Sequence, residues 1–228
     1  MAAVIPVSAP PRVRTRLRNA PDGPVTVLHH GPDAVYLDVG GWCVGVVGSR
    51  ATAVPCALRT SLVTLPAVAV AGVRSGVLHL DGVALTIGRL VDVSVPHLRA
   101  TGPGGGLSAD DVAGLVGRGD GLTPYGDDLL CGWIALHRAA GLETPEIDAA
   151  VRSLVSRTTM LSATLLDCAL HGEVIPEFAA YVASLGTSRD RSSARAALTR
   201  VGHSSGRGLL AGARLALHRL GHEGTTAA

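Results

Sequence analysis

The segment Gly117-Arg118-Gly119-Asp120-Gly121-Leu122-Thr123-Pro124-Tyr125-Gly126-Asp127-Asp128 joins four glycines and a Thr-Pro pair to two adjacent carboxylates. Glycine admits positive φ and lets other groups approach the backbone amides. A long apolar helical pattern follows at once, and a helix N-terminus carries unpaired N–H groups and a partial positive charge. Together these hold a phosphate or a carboxylate. Two aspartates would repel a bare anion. Mg²⁺ held between Asp127 and Asp128 would resolve that conflict. The plain alternative is that both aspartates complement the helix dipole. A cap needs one Asp, however, not two behind so many glycines.

Two further segments place small polar residues at the mouth of an apolar helix. Thr158-Thr159, with Ser162 nearby, leads to His171-Gly172-Glu173. Gly202-His203-Ser204-Ser205-Gly206 opens the last helical pattern. Each also reads as an ordinary N-cap, and His171 as a cation at a helix C-terminus. His203 is a candidate acid, base or anion ligand. Three such mouths would converge on one anionic ligand only if the fold brought them together. The other histidines show no ligand spacing.

There is no lysine; all 20 basic residues are arginine. This excludes a Walker-type phosphate loop, a Schiff base and a lysine general base. Anion recognition falls to Arg118, hydroxyls and backbone N–H groups. The net charge of +2 gives no electrostatic case for nucleic acid. No apolar run reaches the ~20 residues of a membrane helix, and the first residues lack signal-peptide order. Cys43, Cys56, Cys131 and Cys168 have no CxxC spacing and read as reduced thiols. A cytoplasmic protein without membrane or nucleic-acid partners is expected.

The elements that must position these residues change character along the chain. At 228 residues with 47% hydrophobic residues, the chain can bury a real core. Residues 1–24 read as an arm in which Arg12, Arg14, Arg16 and Arg18 share one face of an extended strand. Val25 to Pro96 reads as short Val-rich strands: 25–28, 34–37, 42–47, 68–70, 77–80, 83–87 and 90–95. Asp81-Gly82 signals a two-residue hairpin, and Gly40-Gly41 a turn. No helical period separates these runs, so an antiparallel sheet or small barrel is expected. Thr101–Gly106 reads as a Gly-Pro linker. Beyond it, Ser108 with Asp111 forms a capping box for a short helix through Val116. Further helices are predicted at 127–140, 146–155, 159–170, 177–185, 189–200 and 206–220, with Gly141 and Gly221 as stops.

The string Gly119 to Asp128 resembles the GxGxGLTPxGDD signature of the AllH-like family, which includes the AllH subunit of oxamate carbamoyltransferase. Leu161-Ser162-Ala163-Thr164-Leu165-Leu166 followed by His171-Gly172 is similar to a later block of that family, as is Gly202 to Gly206. The resemblance covers roughly residues 25–220. Two positions depart from it: Tyr125 stands where Ser is expected, and Gly208 where Asp is. The resemblance implies allantoin breakdown, a branch of purine catabolism, and transfer of a carbamoyl group from oxalurate to phosphate, giving oxamate and carbamoyl phosphate. It also implies other carbamoyltransferase subunits as partners.

The expectation is therefore an α+β protein. An arm and β module span 1–100, and a helical module spans 101–228, its site facing the sheet. Backbone N–H groups of Gly119, Gly121 and Gly126, with Arg118 and Thr123, would hold a small anion. Asp127 and Asp128 would hold Mg²⁺ or orient an amide NH₂, and His203 would act as acid or base. Thr158, Thr159, Ser162, Ser204, Ser205 and Gly206 would complete the site. Two alternatives are a non-catalytic anion-binding or regulatory subunit and a stand-alone metal-dependent hydrolase.

Overall fold

Val4–Ala9 forms strand β1 and Pro11–Asn19 helix α1 in the computed structural model, which describes residues 4–185 and 191–221. The arginine-rich stretch is thus helical, not extended. Pro11 occupies the first helical turn, where its missing N–H costs nothing. Val13 and Leu17, four apart, are its buried face. That spacing outweighs the alternation of the arginines. Arg12 and Arg16 lie over the Trp42 ring at 5.7 and 5.3 Å.

Seven strands follow: β2 (Gly23–His30), β3 (Ala34–Asp38), β4 (Cys43–Val47), β5 (Ala57–Thr60), β6 (Ala71–Arg74), β7 (Val77–Leu80) and β8 (Val83–Leu90). They close with β1 into a barrel of order β1-β5-β4-β3-β2-β6-β7-β8. Most pairs are antiparallel, but β1–β8 and β4–β5 run parallel. Closure removes free sheet edges. Val35, Val46, Leu37, Leu58, Leu78 and Leu85 are buried within this unit. The hairpin at Asp81-Gly82 has positive φ at both residues, as does the one at Ser75-Gly76. This is the geometry that matches strand twist.

Two expected strands are absent. The amides of Ala69 and Val70 donate to the Asp81 carboxylate instead of a neighbouring strand. Residues 91–95 make only a single bridge, Ser94 with Glu173. Three strands were not expected: β1, which carries Pro6, and the four-residue β5 and β6.

Residues 93–228 form a second compact unit, helical from residue 109. Its helices are α2 (Ala109–Leu115), α3 (Tyr125–Ala139), α4 (Pro145–Leu154), α5 (Met160–Leu170), α6 (Pro176–Leu185), α7 (Arg191–Thr199) and α8 (Ser205–Arg219). A single 3₁₀ turn, Val155–Arg157, joins α4 to the α5 entrance. The start expected for α7 at Arg189 lies outside the described residues. Ser108 and Asp111 form the capping box of α2. Thr101–Gly106 is no free linker, because the amides of Thr101, Gly102 and Gly104 donate to the last carbonyls of α8. No described helix is long and apolar enough to cross a membrane.

The centre of this unit is α3 against α8. A Cβ at Gly212 would lie 1.8 Å from the Leu129 carbonyl, and one at Gly132 would lie 2.1 Å from that of Leu209. Glycine at both positions lets the two backbones touch. At the far end of α3, Arg138 bonds Asp148 of α4 at 2.5 Å and the Leu170 carbonyl of α5 at 3.0 Å. The result is a rigid frame holding the N-termini of α3, α5 and α8.

Candidate functional site

Helix α3 begins at Tyr125, two residues before the expected start, with Pro124 as its N-cap residue. Asp127 and Asp128 are therefore the third and fourth residues of the helix. Their own amides donate to the Pro124 carbonyl. Their side chains are left for tertiary contacts.

Asp127 is fully buried. Its Oδ1 accepts the Gly117 N–H at 2.8 Å. Its Oδ2 accepts the hydroxyls of Thr158, at 2.5 Å, and Ser162, at 2.7 Å. One carboxylate thus ties the glycine loop to the entrance of α5. Gly117 makes this possible: its φ is +74°, and a Cβ there would lie 2.3 Å from the Arg157 carbonyl. Thr159 adds a second tie. It caps α5 by accepting the Ser162 N–H, and its hydroxyl donates to the Leu122 carbonyl at 2.6 Å.

Asp128 faces the third segment. The hydroxyls of Ser205 and Thr123 lie 2.8 Å apart. Burial pushes the Asp128 carboxyl up to about 7, the Ser205 hydroxyl opposes that shift, the charge of Asp127 adds to it, and the Thr123 hydroxyl opposes it. Asp128 is 4% exposed, and its Oδ2 has no hydrogen-bond partner among the described residues. A buried carboxylate oxygen without a donor is costly. Gly208 packs its α-carbon against this residue, where a Cβ would lie 2.7 Å from that of Asp128. An Asp at 208 would force α8 away.

The loop glycines differ in their availability. Gly126 N–H already donates to the Arg118 carbonyl, and a Cβ there would strike the Leu115 carbonyl. Gly206 N–H donates to the Val201 carbonyl, and the Ser204 carbonyl accepts the amides of Arg207 and Gly208. The entrances of α3 and α8 are therefore largely satisfied from within the chain. Gly119 and Gly121 are exposed, as is Arg118. Tyr125 is 40% exposed at the start of α3. His203 is exposed, and its carbonyl accepts from the Arg207 guanidinium. His171 caps the end of α5, its Nδ1 2.7 Å from the Asp167 carbonyl.

The three segments that sequence spacing singled out thus meet through Asp127 and through the Thr123–Ser205 pair. Sequence reasoning missed the Gly117 N–H as the donor to Asp127. A glycine directly after the predicted end of that helix at Val116 was the available signal. For a metal, the donor set is thin. The described residues contain no group of three His, Cys, Asp or Glu side chains able to hold one. Both Asp127 oxygens already face N–H or O–H hydrogens, so a cation there would displace donors that hold the fold.

The model of the family described as oxamate carbamoyltransferase subunit AllH matches residues 115–217. The chain is AllH-like over this region. The AllH-like segment runs from the end of α2 into α8 and contains every residue of the site just described. No curated protein and no solved structure matches the chain significantly.

Proposed function

We propose that this chain is a subunit of a carbamoyltransferase, and that its AllH-like helical unit binds a small planar anion of carbamoyl or ureido-acid metabolism. The reaction is transfer of a carbamoyl group between oxalurate and phosphate, with oxamate and carbamoyl phosphate on the other side. The observation that carries this reading is the unpartnered, buried Asp128 oxygen. It lies where the glycine loop and the entrance of α8 meet, within a segment that matches the carbamoyltransferase subunit family. In such a transfer the protein orients its substrates and stabilises developing charge. Asp127 positions the loop. Arg118 and the amides of Gly119 and Gly121 take the anionic end, and Asp128 with Thr123 and Ser205 takes the polar remainder. His203 is the acid or base on the open side.

The test is thermal unfolding of the full chain with carbamoyl phosphate, phosphate or oxamate, each with and without Mg²⁺. Binding to the folded state raises Tm by linkage. No shift with any of them at millimolar concentration overturns the reading. A second reading, a non-catalytic binding or regulatory subunit, is favoured by one observation. Among the described residues, no imidazole or thiol is hydrogen-bonded to either aspartate. Release of phosphate from carbamoyl phosphate with oxamate as acceptor, measured with the chain alone and with partner carbamoyltransferase subunits, separates the two.

A further inference from the structure

We propose that the β-barrel is a binding unit in its own right: its end opposite α1 holds a small, neutral, apolar molecule of about the size of benzene. The family match begins at residue 115 and assigns nothing to the barrel. The proposal does not rest on the reading of the helical unit.

The two ends of the barrel are closed differently. Helix α1 follows the last residue of β1 and leads into β2, and Val13 and Leu17 are its buried face. A Cβ at Gly76, in the β6–β7 hairpin, would lie 3.1 Å from the Arg18 α-carbon, so α1 lies against that end. The opposite end carries the Asp81-Gly82 hairpin, and residues 61–70 cover it. Between this cover and the strands lies a cavity of about 150 Å³, with Ile5, Val46, Leu65, Val68 and Leu85 in its lining. The interior of an eight-stranded barrel is either filled by side chains or holds one small ligand.

The cover is tied down along its length. The Leu62 carbonyl accepts the Ser49 N–H at 2.7 Å, and the Leu65 N–H donates to the Pro32 carbonyl at 2.7 Å. His30 Nε2 lies 3.3 Å from the Pro66 carbonyl. Asp81 accepts the amides of Ala69 and Val70, from a φ of +47° that few non-glycine residues adopt. The cavity is therefore preformed, and a ligand need not order the chain around it.

Its lining sets the ligand class. Among the described lining residues only Thr60 and Asp81 are polar. Thr60 Oγ1 accepts the Leu62 N–H at 3.1 Å, and the exposed Asp81 serves the amides of the cover. Val46, Leu65, Leu80 and Leu85 are buried and offer only hydrocarbon. A water molecule needs about two to four polar partners, and this lining supplies too few. An ion would give up its hydration against alkyl groups. A neutral apolar molecule instead gains dispersion contacts on every side. An apolar cavity of about this volume stays dry and admits benzene.

Methyl-resolved NMR spectra of the full chain, titrated with toluene, test this directly. Saturable ring-current shifts are expected at the methyl groups of Ile5, Leu65, Val68 and Leu85, while those of Val13 and Leu17 at the helix-closed end stay in place. Benzoate keeps the ring and adds a charge, and it is expected to bind at least roughly tenfold more weakly, because burying an unpaired charge is costly. Val68→Phe offers the cavity a ring of its own and is expected to abolish the toluene shifts at Ile5 and Leu85. Absence of any saturable shift up to the solubility limit of toluene overturns the proposal, as do shifts confined to residues outside the lining. Benzoate binding as tightly as toluene overturns the ligand class. Undiminished toluene shifts at Ile5 and Leu85 in folded Val68→Phe overturn the placement of the ligand. The titration of the unaltered chain is decisive even where the variant does not fold.

Discussion

Thr123 and Ser205 stand 82 positions apart in the chain, and their hydroxyl oxygens lie 2.8 Å apart. This bond joins the glycine loop to the entrance of α8, beside the Asp128 carboxylate. A neutral hydrogen bond of this kind contributes about 0.5–1.5 kcal/mol. Thr123→Val and Ser205→Ala should each destabilise by about that much. The double variant should cost less than the sum, since the second change removes a bond already lost. Denaturant midpoints of the four proteins measure the coupling. Strictly additive values would show that the two hydroxyls do not work as a pair.

Asp127 behaves differently from a helix cap. It accepts three hydrogen bonds from buried or half-buried donors. Asp127→Ala strands those donors and should destabilise the chain by about 3–5 kcal/mol, the cost of breaking a buried charged network. Asp127→Asn should cost about 1–3 kcal/mol, because its NH₂ must face at least one of the same donors. Urea unfolding of both variants is the check. An Asn variant as stable as the unaltered chain would reduce Asp127 to a dipole partner.

Asp128 gives stability an unusual pH dependence. Its carboxyl is raised from 3.8 to about 7 by burial, so the folded state holds the proton over a range where the unfolded chain releases it. Its contribution is fully present below pH 3.8 and is lost as pH rises through about 7, a change on the order of 4 kcal/mol. His137 works in the opposite sense. Its Nδ1 donates to the Trp133 carbonyl, and its Nε2 accepts the Gly105 N–H. The ring is thereby held neutral, and burial lowers its basicity. That stability is present above pH 6.5 and is lost as pH falls. Comparing Asp128→Asn with the unaltered chain from pH 4 to 8 cancels the His137 effect. The Asn variant should gain relative stability steadily as pH rises. A constant difference across that range would mean that Asp128 titrates normally.

Much of the helical unit was legible because its boundaries are written in local chemistry. Ser108 and Asp111 cap α2, while Gly141 and Gly221 with positive φ stop α3 and α8. The convergence of helix entrances was legible from small polar residues repeated before apolar helices. Which donor served which acceptor was not legible, since Asp127 meets Thr158 and Ser162 only through the fold. In the barrel, the Asp81-Gly82 hairpin was readable from two residues. The parallel β1–β8 pair was not, because it joins strands about 80 positions apart and β1 carries a proline. Helix α1 was misread because alternating arginines fit a strand as well as a helix, and only the Val13–Leu17 spacing distinguishes them.

The close packing of α3 on α8 yields the last expectation. Gly132 and Gly212 leave no room for a methyl group, because the obstructing atoms are backbone carbonyls that cannot rotate aside. Gly212→Ala must separate two helices whose spacing also sets the distance from Thr123 to Ser205. Overpacking of a core typically costs about 1–3 kcal/mol, and backbone obstruction places this case at the upper end. Gly114 is the internal control. It lies in α2 with open space where a Cβ would go and without positive φ. Gly114→Ala should therefore stabilise by about 0.4–1 kcal/mol through helix propensity and a less flexible unfolded chain. The decisive measurement pairs unfolding midpoints with oxamate binding. Gly212→Ala should lose stability and ligand affinity together, whereas Gly114→Ala should gain stability and bind as before. If Gly212→Ala loses stability but keeps full affinity, the entrance of α8 does not contribute to the site.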